Sequence, residues 1–402
     1  MTLLPRLRPL EATPAADGTS LRIRDPLGVA GRSPDAETRR RERLDLAPDL
    51  WRVARRLDGT RTAADIAADL SAVAEQEVSE EEVLAAVAEL STAGVLEDAE
   101  STTRLATART DFDALPNRPS VGAGRDYPAD PTDLRIRIAG LVANDWDMPP
   151  PAGLRGLLAP ACSIGRAAPL YARSYAALRI VGARFARIVL LAPARAPVSR
   201  VLVPLDKDFE TPLGAVQVDR EALAALGAEA GEDALAHREA LALERQMLFL
   251  RLLLPNTRVV PLLVGAVSGE TERDEAVAAL RRVERLPGET FFLAAADLAR
   301  LLAAADQPDA LGPEGRRALR GLDKRMVDLA VECDAEGWRA QAVASGDAAR
   351  AAESVPVELV LRVLREGGVV RRGVVRGHVL GYHQDLGAEE LTTAASMAFL
   401  VG

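Results

Sequence analysis

The chain has 402 residues, of which 48% are hydrophobic and 27% are charged, a composition typical of a soluble globular protein with a sizeable core. Its formal net charge of −9 argues against general nucleic-acid binding, because phosphates require a positive protein surface. The length predicts two domains or one large domain.

The cysteine content and the hydropathy predict a location. Cys162 and Cys333 are the only cysteines, which is too few for a disulfide framework, so we expect a reducing cytoplasm. The first ten residues lack the apolar core of a signal peptide. No apolar run is long enough to span a bilayer. The sequence therefore predicts a soluble cytoplasmic protein with no membrane partner.

A short strand and three helices are predicted near the N-terminus. Residues 21–24 alternate like a strand, and a first helix is expected over residues 48–57. The second helix begins at Thr62 and the third at Ser79, each with an acid three residues later that completes a capping box. The third helix is expected to end at Gly94.

This order of elements predicts a small winged-helix-type α+β domain over residues 1–105. Such a module could read DNA in a regulator. However, the third helix begins with Glu80, Glu81 and Glu82 and adds Glu89, so it would repel phosphates. We therefore expect no nucleic-acid partner.

Residues 44–98 carry a first family resemblance. The segments LDLAPDLWRVARRLDGTRTAADIAADL and VSEEEVLAAVAELSTAGVLED resemble the PqqD-like domains. This resemblance implies a peptide-recognition module that binds an extended segment along a strand edge and a helix groove, a form of β-augmentation. The other interpretation is a domain that only packs on the rest of the chain.

The remaining chain is expected to form a linker and then an α/β domain. Residues 106–130 lack periodicity and predict a linker. From residue 131 to 402, strands alternate with helices, which predicts a central sheet flanked by helices on both faces. The strand candidates are residues 188–191, 201–205, 259–264, 291–294, 379–382 and 397–401, and the helix candidates are 238–254, 272–285, 316–332 and 356–365.

Generic catalytic motifs are absent: the sequence has no GxGxxG, Walker A, GxSxG or HExxH motif. Its histidines are His237, His378 and His383. His237 lies in a polar stretch and is predicted to be solvated. His378 and His383 lie five residues apart on a predicted strand and are expected to point to opposite faces, so that they would not share a metal ion.

The second domain nevertheless resembles a specific family. Ordered segments between Ser120 and Gly387 are similar to the MEMO-like family, also called AmmeMemoRadiSam system protein B, and some bacterial members resemble this chain in having a PqqD-like region first. The resemblance implies the fold of class III extradiol dioxygenases, with a metal pocket at the strand ends. The segments are SVGAGRDYPADPTDLRIRIAGLV, LLAPACSIGRAAPLYARSYAAL, IVLLAPARAP, DFETPLGAVQVDREALAAL, RVVPLLVG, FFLAAADLAR and GHVLGYHQDLG.

Every metal-type position that the resemblance implies is altered in this chain. Alanine and leucine have no donor atom, and arginine stays protonated, so these residues offer no lone pair to a metal. We therefore expect no metal and no cofactor. The altered positions are Ala161, Arg195, Leu241, Arg300 and Ala352, the last of which precedes Glu353 where the family has a Cys-Gly pair.

Two interpretations of the arginines remain open. Arg195 and Arg300 could pair with acids, for which the candidates are Glu210, Glu244 and Asp297. They could instead form an anion pocket, since guanidinium groups match carboxylate or phosphate geometry. In that case the ligand-binding residues would be Arg195, Arg300, Asp297, Glu244 and Cys162.

The sequence favours a non-catalytic pseudoenzyme over an enzyme. It would act as a peptide- or protein-binding scaffold, and the partner would be an intact paralogue or another component of a radical-SAM-linked system. The alternative is an enzyme with a rebuilt metal-free site around Cys162, Arg195 and Arg300, acting on an anionic substrate. The sequence leaves the ligand, the oligomeric state and the proximity of Arg195 to Arg300 open.

Overall fold

The computed structural model describes residues 2–15, 20–33, 35, 38, 44–74, 77–143, 153–229, 231–302, 312–346, 348–366, 374–386 and 390–401. The side chains of Arg300 and Ala352 lie outside this description. The chain divides into two compact units, Met1–Leu115 with Leu302–Pro308, and Pro116–Leu301 with Asp309–Gly402. None of the described helices is long and apolar enough to cross a membrane.

In its described residues, the first unit combines a small antiparallel sheet with four helices. The predicted strand over residues 21–24 is confirmed and is the middle strand of the sheet. Apolar side chains that include Leu46, Ile66, Val83 and Leu90 form the core of this unit. The elements are β1 (Glu11–Pro14), β2 (Leu21–Arg24), β3 (Leu44–Leu46), α1 (Pro48–Ala54), α2 (Ala63–Ala74), α3 (Glu80–Thr92) and α4 (Ala99–Ala114).

Two of the predicted helix starts are confirmed in atomic detail. Asp65 accepts the backbone N–H of Thr62 at 2.9 Å. Ser79 and Glu82 form a complete capping box, in which each side chain accepts the other residue's backbone N–H. Gly94 follows the third helix with a φ of +68°, a left-handed conformation that glycine adopts without a steric penalty.

The segment after the third helix differs from the prediction of a non-periodic linker. Helix α4 continues to Ala114, so residues 106–114 are helical. The side chain of Asp98 caps this helix at Ser101, and Phe112 is buried. The prediction failed because the few apolar residues of this helix form no continuous stripe, while its cap and its tertiary contacts stabilise it.

The second unit is built on an eight-stranded mixed sheet, which confirms the predicted central sheet. Its centre is parallel, in the order β5 (Leu154–Ala159), β10 (Glu289–Ala295), β6 (Phe185–Pro193) and β9 (Arg258–Val264), with β7 (Leu202–Pro204) antiparallel at one edge. On the other side β13 (Glu390–Val401) runs antiparallel to β5 and pairs with β12 (Val375–Leu386). The remaining strand of this sheet is β11 (Ala299–Leu302), beside a separate pair β4 (Asn117–Arg118) and β8 (Asp208–Phe209).

Helices cover both faces of this sheet. On one face the helix that carries Ser174 bonds β13 through Ser396, and its Tyr175 stacks on Phe249 of a second helix at 4.3 Å. On the other face Leu364 packs over Gly156 of β5. The helices are α5 (Pro131–Ala143), α6 (Ala168–Val181), α7 (Arg220–Leu226), α8 (Leu241–Leu253), α9 (Glu270–Glu284), α10 (Pro313–Val331), α11 (Ala335–Ala344) and α12 (Ala348–Glu366).

A bulge in β12 overturns the predicted orientation of two histidines. The register shifts between Val379 and Gly381, so that His378 pairs with Ala398 and His383 with Ala394. Partners four residues apart on one strand share a face, so both histidines lie on the same face. They remain about 13 Å apart along the strand, which is too far for one metal ion.

Candidate functional site

The candidate site lies where the central parallel strands end. Ala161 and Cys162 follow β5, Arg195 follows β6, and Asp297 follows β10, which lies between those two strands. In α/β sheets, ligands bind in the crevice beyond the carboxyl ends of parallel strands. The topology therefore places four of the predicted site residues at the carboxyl ends of the central strands.

Asp297 is a buried acid held by backbone groups. Its carboxylate accepts the N–H groups of Ala161 at 3.0 Å and Cys162 at 3.1 Å, and it is 4% exposed. These bonds cross from the end of β10 to the end of β5. Asp297 thus has a structural role in shaping the loop that carries Ala161.

Arg195 pairs with an acid that the sequence analysis did not propose. Its guanidinium lies 2.7 Å from Glu353 of helix α12, whose side chain is 7% exposed. The candidates Glu210, Glu244 and Asp297 did not include this partner. The neighbouring residue Ala352 is one of the altered metal-type positions, but sequence spacing alone does not reveal which acid faces Arg195.

Glu244 is the centre of a fully buried network. It pairs with Arg118, accepts the N–H of Gly122 at 2.7 Å and that of Val121 at 3.1 Å, and accepts the hydroxyl of Tyr127. Both charged side chains of the pair are 0% exposed. Glu244 therefore anchors the loop after β4 to α8. Sequence reasoning missed Arg118, which lies just before the motif that contains Val121.

Neighbours of Glu244 on α8 hold the loop after β5. Arg245 pairs with Asp126 at 2.7 Å and donates to the carbonyl of Ala161. Gln246 donates to the carbonyl of Pro160 at 2.8 Å. Leu241, at the start of the same helix, packs beside Gly122. The helix thus uses three successive polar residues to hold two loops.

The Cys162 thiol is poorly suited to act as a nucleophile. Burial raises its pKa well above the ordinary value, and the negative charge of Asp297 raises it further. Nearby arginines act in the opposite direction, but Arg245 pairs with Asp126 and Arg166 pairs with Asp385. The thiol form therefore predominates at neutral pH.

His237 is buried, which corrects the prediction of a solvated side chain. It is 0% exposed, and its Nε2 lies 2.9 Å from the carbonyl of Val203. Burial lowers its pKa to about 3. The polar residues around it in the sequence suggested solvent, but the 3₁₀ turn Gly231–His237 directs the ring inward against Phe209.

The residues at the site do not fit a metal centre. Ala161 and Leu241 have no donor atom, and the guanidinium of Arg195 has no lone pair and is occupied by Glu353. Over the described part of the chain, no group of three or more His, Cys, Asp or Glu side chains is arranged to hold a metal ion. The side chains of Arg300 and Ala352 lie outside that part.

The fold and the positions of these residues define an α/β protein with a candidate ligand site beyond the carboxyl ends of its parallel strands. Comparison with known proteins agrees: the family model described as Memo-like protein matches residues 118–397. The chain therefore belongs to the Memo-like family.

Two relatives support this assignment. A MEMO1 family protein of Methanopyrus kandleri is 30% identical over 187 residues, which cover 44% of this chain and 66% of the relative. A MEMO1 family protein of Aquifex aeolicus is 24% identical over 265 residues, which cover 65% of this chain and 66% of the relative. The chain thus spans just under two thirds of the length of both relatives.

Proposed function

We propose that this chain is a non-catalytic Memo-like protein that works as a peptide- or protein-binding subunit. The observation that carries the proposal is the ion pair between Arg195 and Glu353 at the strand ends. By the family resemblance, Arg195 stands at a metal-ligand position, and here that position holds a cation paired with a buried acid. A second cation is disfavoured beside an arginine unless further acids are present.

The retained polar residues support a scaffold role. Glu244, Gln246 and Asp297 each bond backbone groups of the loops that border the crevice. These bonds maintain the fold without any reacting group. A fold that is held in this way can carry a function other than metal chemistry, because function depends on the site residues and not on the fold.

The alternative, an enzyme with a metal-free site for an anionic substrate, has weaker support. It requires Arg195 to contact the substrate, but Glu353 already neutralises that guanidinium. It also requires Cys162 as a thiolate, which burial and Asp297 disfavour. The side chain of Arg300, the third residue of that proposal, is outside the described residues.

The first unit would supply the peptide-binding module. We base this on its resemblance to PqqD-like, winged-helix-type domains and on its three-stranded sheet, in which β3 is an edge strand next to the helices. Helix α3 presents Glu80 and Glu81 to solvent, which disfavours a nucleic acid as partner. The proposed partner is a peptide or protein in the cytoplasm, such as an intact paralogue or a component of a radical-SAM-linked system.

Elemental analysis of the untagged protein tests the central claim. The protein would be dialysed against Fe(II), Cu(II) or Zn(II), passed through a desalting column and measured by inductively coupled plasma mass spectrometry. We expect substoichiometric metal in each case. A matched variant, Glu353→Ala, reports whether the ion pair affects metal retention. Retention of about one equivalent by the wild type would contradict the proposal.

A further inference from the structure

Strand β12 forms an open edge of the sheet in the second unit. Across the described residues it pairs with β13 alone, over a length of 12 residues. Among the described residues, no second strand pairs with its outer side. Long open edges are templates for strand addition unless the protein protects them.

The side chains of this edge include exposed apolar surface. Val379 is 47% exposed, and His378 beside it is also exposed. A bulge lies at this point, next to Leu380, whose carbonyl accepts from Arg173 of α6 at 2.7 Å. An added strand would cover the Val379 side chain and would gain free energy from its burial.

A stripe of basic residues lies beside the same strand. Arg317, Arg320 and Lys324 are exposed at helical positions i, i+3 and i+7 of α10, and we call them the basic stripe. Arg320 donates to the side chain of Gln384 of β12 at 3.4 Å, which places the stripe next to the strand. Lys324 also pairs with Asp328 at 2.6 Å on the same helix.

The basic stripe is only partly neutralised from within its own helix, because Lys324 pairs with Asp328. Asp323 lies between Arg320 and Lys324, but it is buried and accepts the hydroxyl of Tyr382 at 2.8 Å. With the exposed acids Glu314 and Asp328 taken into account, the outward face of this part of α10 keeps an excess of one positive charge, on a chain whose net charge is −9. A local charge of the opposite sign favours an acidic partner.

We propose that the β12 edge docks an extended acidic segment of a partner protein, which adds as a further strand with its carboxylates beside the basic stripe. This deepens the binding role proposed above and rests on it. Two copies of the chain are less suited to this edge, because a symmetric pairing would bring two basic stripes together.

Fluorescence anisotropy with the full chain tests the proposal. The probe is a labelled synthetic peptide that alternates Glu and Val, with blocked ends, and the control peptide alternates Lys and Val. We expect saturable binding of the Glu-Val peptide, weakened by added salt, and no binding of the Lys-Val peptide. Equal binding of both peptides, or none of either, would overturn the proposal.

Variants locate the binding to this edge. Reversal of all three charges of the basic stripe to Glu should weaken peptide binding by about 10-fold or more. Arg325→Glu, which is exposed on the same helix but about 100° around it from Lys324, should have little effect. Val379→Glu should also weaken binding, whereas Val343→Glu on α11 should not. Circular dichroism would check that each variant is folded.

Two further outcomes are decisive. Dimers that form with rising concentration in sedimentation velocity and vanish in Val379→Glu would assign the edge to a second copy and overturn the proposal. A failure of the metal analysis would overturn the non-catalytic function without changing peptide binding. A failure of peptide binding would leave the metal analysis unchanged.

Discussion

The guanidinium of Arg195 lies 2.7 Å from the carboxylate of Glu353 and joins the end of strand β6 to helix α12. The Arg195 side chain is 32% exposed, whereas the Glu353 side chain is buried, with 7% exposure. Loss of each partner therefore has a different cost, because only the acid would be left in a low-dielectric environment.

Arg195→Ala should lower the free energy of unfolding by about 1–3 kcal/mol, because it leaves Glu353 buried without this cation. Glu353→Gln should cost less, since Arg195 can reach solvent. The double variant should be no less stable than Arg195→Ala, which urea denaturation would measure. Strict additivity of the two single changes would contradict a direct interaction. Lys324→Ala, which breaks an exposed pair, is the control.

Glu244→Gln should destabilise the second unit by about 3–5 kcal/mol, because Arg118 would remain fully buried without its counter-charge. The loop with Gly122 would also lose a charged acceptor. Urea denaturation followed by circular dichroism measures the change. Asp328→Asn, at an exposed pair, should cost below about 1 kcal/mol. Equal effects of the two substitutions would contradict the structural role of Glu244.

Cys162 should react slowly with iodoacetamide at neutral pH, because burial and Asp297 raise the pKa of its thiol. Asp297→Asn should speed the reaction, since it removes a negative charge and keeps an acceptor for the N–H groups of Ala161 and Cys162. Peptide mapping by mass spectrometry separates Cys162 from Cys333. The denatured chain gives the reference rate. A folded-state rate equal to that reference would contradict the prediction. It would then support the alternative function, a metal-free enzyme with Cys162 as its nucleophile.

His237 should make the fold less stable as pH falls. Its folded pKa of about 3 lies below the ordinary value of 6.5, so between these pH values the unfolded chain binds a proton that the folded chain does not. Stability that is present above pH 6.5 is therefore lost as pH falls towards 3, by about 2 kcal/mol between pH 6.5 and 5.

The variant His237→Gln isolates this effect, because glutamine can donate to the Val203 carbonyl and does not titrate. Urea denaturation at pH 7 and pH 5 should show a smaller loss for the variant than for the wild type. The groups that titrate elsewhere are common to both proteins. An identical pH dependence would show that His237 is already charged in the folded state.

Local sequence by itself determined the features that depend on short-range chemistry. The capping pairs at Thr62 and Ser79 act over three residues, so they were predictable. The apolar strands and long helices of the second unit follow from periodicity, and the ordered motifs were enough to predict the family.

Only the tertiary structure decided which charged groups meet. Arg195 meets Glu353, 158 residues away, and Arg118 meets Glu244 at a separation of 126 residues. It also decided that His237 is buried and that a bulge turns His383 to the face of His378. The physical reason is that partner choice and burial depend on how strands and helices pack in space, and residue spacing along the chain carries no information about those distances.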